Sequence, residues 1–100
     1  MYLDAAEEKM LRAILQSAVV SAAAGHSFVG EFRHYRISAT CLRVNEQGVA
    51  RIEARIVSGV GIAIHSYEGM VLAARDFESA ASAATLAPFC DRGAACLRKP

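Results

Sequence analysis

Residues 35–64 read YRISATCLRVNEQGVARIEARIVSGVGIAI, and the fold turns on that stretch. Tyr35, Ile37, Ala39 and Cys41 alternate with Arg36, Ser38, Thr40 and Leu42, the period of two expected of a half-buried strand. After Asn45-Glu46-Gln47-Gly48, a reversal signal, Ala50, Ile52, Ala54 and Ile56 alternate with Arg51, Glu53 and Arg55. Folding the chain about that loop sets Ile37 opposite Ile56, Ala39 opposite Ala54 and Cys41 opposite Ile52. Residues directly opposite share a face, so all three apolar pairs fall on one side. The register closes on itself.

A second reversal is expected at Val57-Ser58-Gly59. A three-residue loop with Gly59 in the left-handed region returns Val60, Ile62 and Ile64 to the face of Ile52 and Ile56. Burial of three β-branched side chains, at about 1.5–3 kcal/mol each, outweighs any difference between turn types. On this reading Tyr67-Glu68-Gly69 is a further turn, and the apolar run at 70–74 adds a fourth strand. The outer face then carries Arg36, Ser38, Thr40, Arg51, Glu53, Arg55, Gly61, Ala63 and His65.

Helices flank the sheet on both sides in the sequence. Asp4-x-x-Glu7 is a capping box. The helix it opens runs over 4–24 to a stop at Gly25, with Leu11, Ile14, Leu15, Ala18 and Ala22 as its inward stripe and Met10 beside it. Val19 and Val20 widen that stripe beyond the needs of one sheet face, the kind of surplus a homodimer covers. Residues 26–31 read as a connector anchored by Phe28, leading into a meander over 32–67. A second helix, capped by Asp76 or Ser79, is expected over 77–87 with Ala80, Ala83, Ala84 and Ala87 on its close-packing side. Pro88 should stop or kink it, leaving a frayed turn at 89–97.

The order is α-β-β-β-(β)-α: an α+β fold, a single domain over 1–100, with an antiparallel meander and two Ala-rich helices on one face. Of the 54% hydrophobic residues many are alanine, so a thin core with closely approached helices is expected. The net charge of +1 singles out neither a polyanion partner nor a polyanion mimic. Three cysteines cannot all pair, and the N-terminus has the wrong charge for a secretory leader; both favour a reduced cytoplasmic setting. No apolar run reaches membrane-spanning length.

Site chemistry is sparse. His26, His34, His65 and the cysteines lack the paired short spacing of a metal site, and no cofactor motif is present. With Cys41 directed into the core and His34 and His65 outward, no Cys–His nucleophile forms. Gly59-x-Gly61 has no lysine and opens no helix, so it is not a phosphate loop. No catalytic residue is assigned, and a non-enzymatic chain is expected. What stands out is the outer face, where Gly61 and Ala63 leave a bare strip and Arg36, Arg51, Arg55 and His65 surround it. A small centre ringed by arginine fits a protein-docking surface.

The order helix, three-stranded meander, helix resembles the double-stranded-RNA-binding domain, which implies a nucleic-acid alternative through the same arginines. The stretch that would match that family's basic helix opening reads Asp76-Phe77-Glu78-Ser79-Ala80 here, which is acidic. Residues 32–57, followed by Phe77-x-Ser79 and an alanine-rich helix, also look like small bacterial domains of unknown function. In size and lack of site chemistry the chain is similar to phage-encoded inhibitors, including anti-CRISPR proteins. The expected function is a small non-enzymatic interaction module, of inhibitor or adaptor type, docking another protein through the outer face.

Overall fold

A computed structural model describes residues 3–59, 64–72 and 79–97. Helix α1 (Ala5–Ala23) is followed by β1 (Val29–Phe32), β2 (Tyr35–Val44), β3 (Val49–Ser58), β4 (Ile64–Leu72) and α2 (Ala80–Leu97). The strands form one antiparallel sheet in the order β1-β2-β3-β4. This is the expected α+β arrangement of a meander between two helices. Both helices pack on the same face, α1 over β1 and β2 and α2 over β4, and they touch each other. No helix among the described residues is long and apolar enough to cross a membrane.

The central hairpin pairs as the alternation requires: Ile37 with Ile56, Ala39 with Ala54 and Cys41 with Ile52. Ile37, Ile52, Ile56, Ala50 and Ala54 are fully buried beneath Leu11, Leu15 and Val19 of α1. Each buried isoleucine contributes about 1.5–3 kcal/mol, so this layer supplies most of the apolar stabilisation of the sheet. The reversal between β2 and β3 is an Asx turn in which the Asn45 side chain accepts from the backbone N–H groups of Gln47 and Val49, both at 2.9 Å.

The capping box is present in both directions. Glu7 N–H donates to Asp4 Oδ1 at 2.8 Å, and Asp4 N–H donates to Glu7 Oε1 at 3.2 Å. Gly25, at φ +85°, takes the left-handed position just past the helix, where an L side chain would be strained. Val19 proves fully buried, so part of the apolar surplus belongs to the core, while Met10 stays exposed.

Four local expectations give way to packing. Residues 29–31, expected within a connector, form β1 together with Phe32; the hairpin that pairs them with β2 has only Arg33 and His34 in its loop, with Arg33 at φ +54° in place of the usual glycine or asparagine. Tyr67-Glu68-Gly69 is not a turn but the middle of β4, which absorbs the fourth strand expected at 70–74. Gly69 serves close approach instead: a Cβ there would stand 2.6 Å from Cδ2 of Phe89. Pro88 does not stop α2, and the frayed turn expected at 89–97 is instead its second half, because Phe89, Cys90, Gly93 and Ala94 beyond the proline are buried against the sheet and α1. That burial outweighs the hydrogen bond a proline removes. The packing side of α2 is accordingly Ser82, Leu86, Phe89 and Cys90, while Ala80, Ala83, Ala84 and Ala87 face solvent.

Ser79 caps α2, its hydroxyl accepting from Ser82 N–H at 3.2 Å; the other expected cap, Asp76, lies outside the described residues. The three-residue loop expected at Val57-Ser58-Gly59 does not form: Val57 and Ser58 continue β3, and Val57 pairs with Ile64. The inward placing of Val60 and Ile62 lies outside the described residues. Ile56 pairs with His65, where the expected loop would have set Val60. The returning strand is therefore shifted by an odd number of residues, and from His65 onward the faces are exchanged relative to the expectation.

Candidate protein-docking face

Among the described residues, no helix covers the second face of the sheet. Arg36 of β2 sits across from Val57, Arg55 of β3 sits between Ser38 and Ser66, and Arg51 sits between Arg43 and Met70. Opposed residues share a face, so the structure gathers Arg36, Arg51 and Arg55 on this open side. All three are exposed. Gly61 and Ala63, the expected bare strip, lie outside the described residues.

His65 does not belong to the face. Pairing with buried Ile56 puts it on the helix side, where it lines a cavity of about 250 Å³ with Tyr35, Phe32, Arg33 and Cys96. The phase shift after β3 is the cause. Its place beside Arg51 is taken by two residues the alternation did not assign to the face, Glu68 and Met70. The Arg51 guanidinium donates through Nε at 3.1 Å and Nη2 at 3.0 Å to Glu68 Oε2. Met70 is 53% exposed directly across from Arg51.

Arg43 was also missed, and here a signal existed. Strict alternation from Cys41 carries Arg43 into the core, where an unpaired guanidinium is strongly disfavoured. The chain avoids that with a bulge between Cys41 and Arg43, which resets the phase and sets Arg43 opposite Arg51 on the open face. An arginine at an inward position was the clue. Two like charges directly opposed repel, and the Arg51–Glu68 pair on the other side of β3 offsets that repulsion.

Within β3, Arg55 Nε donates to Glu53 Oε1 at 2.9 Å. Two of the four arginines on the face are thus neutralised by neighbouring glutamates, while Arg36 and Arg43 enter no ion pair among the described residues. The face presents a mosaic of both signs with methionine and valine between, Val29 at the β1 end being 67% exposed. Among the described residues no aromatic ring lies with these groups: Tyr67 pairs with Ala54 and so points to the helix side.

That helix side is tied together by polar contacts of its own. The Tyr67 hydroxyl donates to the carbonyl of Phe89 at 2.9 Å, and the two rings stand 4.7 Å apart. Burial raises the Tyr67 phenol far above its usual range, with Cys90 and Cys96 adding to the effect. Burial likewise pushes the Cys90 thiol up to about 11. Such groups stay protonated at neutral pH and serve packing. Among the described residues no three His, Cys, Asp or Glu side chains come together as a metal site. Compared with protein-family models, curated proteins and solved structures, the chain matches none.

Proposed function

We propose that the chain is a non-enzymatic protein-binding module, of the inhibitor or adaptor type, whose open sheet face docks a partner protein bearing carboxylates around an apolar patch. The observation that carries this reading is the face itself: one side of a four-stranded sheet left without a helix, with exposed Met70 and Val29 set among arginines. Arg36 and Arg43 are available to carboxylates of the partner, and Arg51 and Arg55 can exchange their present glutamates for the partner's. Arginine and methionine are enriched at protein interfaces, and the interleaved glutamates add a pattern that selects against the wrong partner.

A nucleic acid is served less well by this surface. Glu53 and Glu68 sit between the arginines, and among the described residues no ring is there for a base to stack on. The test is affinity capture of the tagged chain from lysate, with and without nuclease, alongside the double variant Arg36→Glu/Met70→Asp. The expected result is a discrete protein partner that survives nuclease and is lost in the variant, whose thermal midpoint stays close to that of the parent. Recovery that collapses with nuclease assigns the face to nucleic acid and overturns the reading. A partner retained by the folded variant places docking elsewhere and overturns it equally.

A further inference from the structure

The two edges of the sheet are finished differently. In β4 the outward-facing groups are taken up by α2: Leu72 N–H donates to Thr85 Oγ1 at 2.9 Å, and Arg92 Nη1 donates to the carbonyl of Glu68 at 2.5 Å. Side chains of the helix thus stand where another strand would pair, which is one way to blunt an edge.

β1 has no such cover. The two-residue hairpin makes Phe32 and Tyr35 a hydrogen-bonded pair, so by alternation Gly30 bonds to Ile37 while Val29 and Glu31 turn their N–H and C=O groups outward. Among the described residues neither Val29 nor Glu31 has a hydrogen bond on that outer side. Nor does β1 hold a lysine, a proline or an inward charge to guard the edge. Beside it, the flank of α1 is apolar. Ile14 reaches to 2.5 Å from the place a Cβ on Gly30 would occupy, and one turn earlier on the same flank Met10 is 58% exposed.

We infer that β1 pairs antiparallel with β1 of a second copy of this chain, joining two four-stranded sheets edge to edge. The patch is complementary to itself, as a two-fold contact requires. Opposed residues must lie on the same face for both helix layers to stay on one side, so the pairing joins residues of like parity. Centring it on Gly30 sets Val29 against Glu31 of the second copy and Glu31 against its Val29, which closes four backbone hydrogen bonds with the groups that now point outward. The same register brings Phe28 across from Phe32 of the second copy on the helix side. Centring it on Glu31 instead would oppose two carboxylates, and charge excludes that register. The joined edge draws the two α1 flanks together over Met10. This inference stands apart from the open-face reading: a chain that captures no foreign partner can still dimerise, and a monomer can still dock one.

The experiment is sedimentation equilibrium across a wide range of concentrations, with hydrogen exchange at the Val29 and Glu31 amides. The wild type is expected at twice the chain mass, with both amides protected. Glu31→Pro removes one outward N–H without touching the ladder to β2, and Val29→Glu leaves the backbone intact while setting a carboxylate directly against Glu31 of the second copy. Both are expected at the monomer mass with an unchanged circular dichroism spectrum. If Glu31→Pro fails to fold, Val29→Glu decides alone. A wild type that stays monomeric throughout overturns the inference. So does a dimer that survives Val29→Glu, since its interface then lies elsewhere.

Discussion

The two faces of the sheet come from the same alternating strands and have opposite energetics. On the helix side Ile37, Ile52 and Ile56 are sealed beneath α1, and each is replaceable only at a cost in stability. On the open side Arg36, Arg43, Arg51 and Arg55 stand in solvent, where ion pairs of 3.0 Å to Glu68 and 2.9 Å to Glu53 contribute little. On the proposed reading, the difference separates stability from recognition by parity along a single strand. Even positions of β3 hold the fold, which leaves its odd positions to the proposed partner.

The sharpest way to break this contrast is Ile52→Ala. Its side chain is fully buried opposite Cys41 and Gly69, and truncation removes apolar contact and leaves a cavity. A loss of about 2–5 kcal/mol is expected in chemical denaturation, while Arg51→Ala, one residue away, should lose less than about 1 kcal/mol. Similar losses for the two would mean that the open face is packed against something in solution.

A medium effect comes from pH. Cys90 is an acid whose folded pKa is raised by burial from 9.0 to about 11. Below pH 9 the thiol is neutral in both the folded and unfolded chains, and its stabilising burial is fully present. As pH rises through the interval from 9 to 11, the unfolded chain releases its proton first, so the folded state loses roughly 2 kcal/mol by the upper end. The Tyr67 phenol, also raised, extends the decline further upward. Urea titrations at several alkaline pH values should show this slope. Cys90→Ala should flatten it between 9 and 10, before the tyrosine takes part; a variant with the parent's slope there would assign the effect to another group.

How much of this was legible follows the same division. From Ile37 to Cys41 the pairing of β2 with β3 could be read to the residue, because apolar side chains on both strands agree about one register; the bulge before Arg43 was not foreseen. The capping box and the Gly25 stop were equally local. What escaped was decided by contacts distant in sequence. Phe89 needs Gly69 flat beneath its ring, and that turned an expected reversal into mid-strand. The burial of Phe89, Cys90 and Gly93 carried α2 through Pro88. β1 escaped because Arg33 occupies a left-handed position that glycine or asparagine would have announced. On the candidate face, Arg36, Arg51 and Arg55 were legible from parity within β2 and β3. His65 was misplaced because β3 runs through Val57 and Ser58, which the expected three-residue loop had claimed, and the return strand comes back with the opposite parity. Glu68 and Met70 were then missed for the same reason, since they share its strand.

The smallest expected effect is the most diagnostic for the open face. Glu68→Gln keeps the shape of the side chain but removes the carboxylate that holds Arg51, leaving Arg51 and Arg43 opposed without compensation. Arg51 and Glu68 are about half exposed, at 49% and 40% of their side-chain surface, so water and salt screen both the lost attraction and the remaining repulsion. The expected loss is about 0.2–1 kcal/mol at low ionic strength, shrinking as salt is added. Measuring the thermal midpoint against salt distinguishes a solvated face from a covered one. A loss of several kcal/mol that salt does not reduce would mean that Arg51 is desolvated in solution, with its partner charge removed. The face would then be an interface already occupied between copies of the chain, and the assignment of stability to even positions and recognition to odd ones in β3 would fail at Arg51 first.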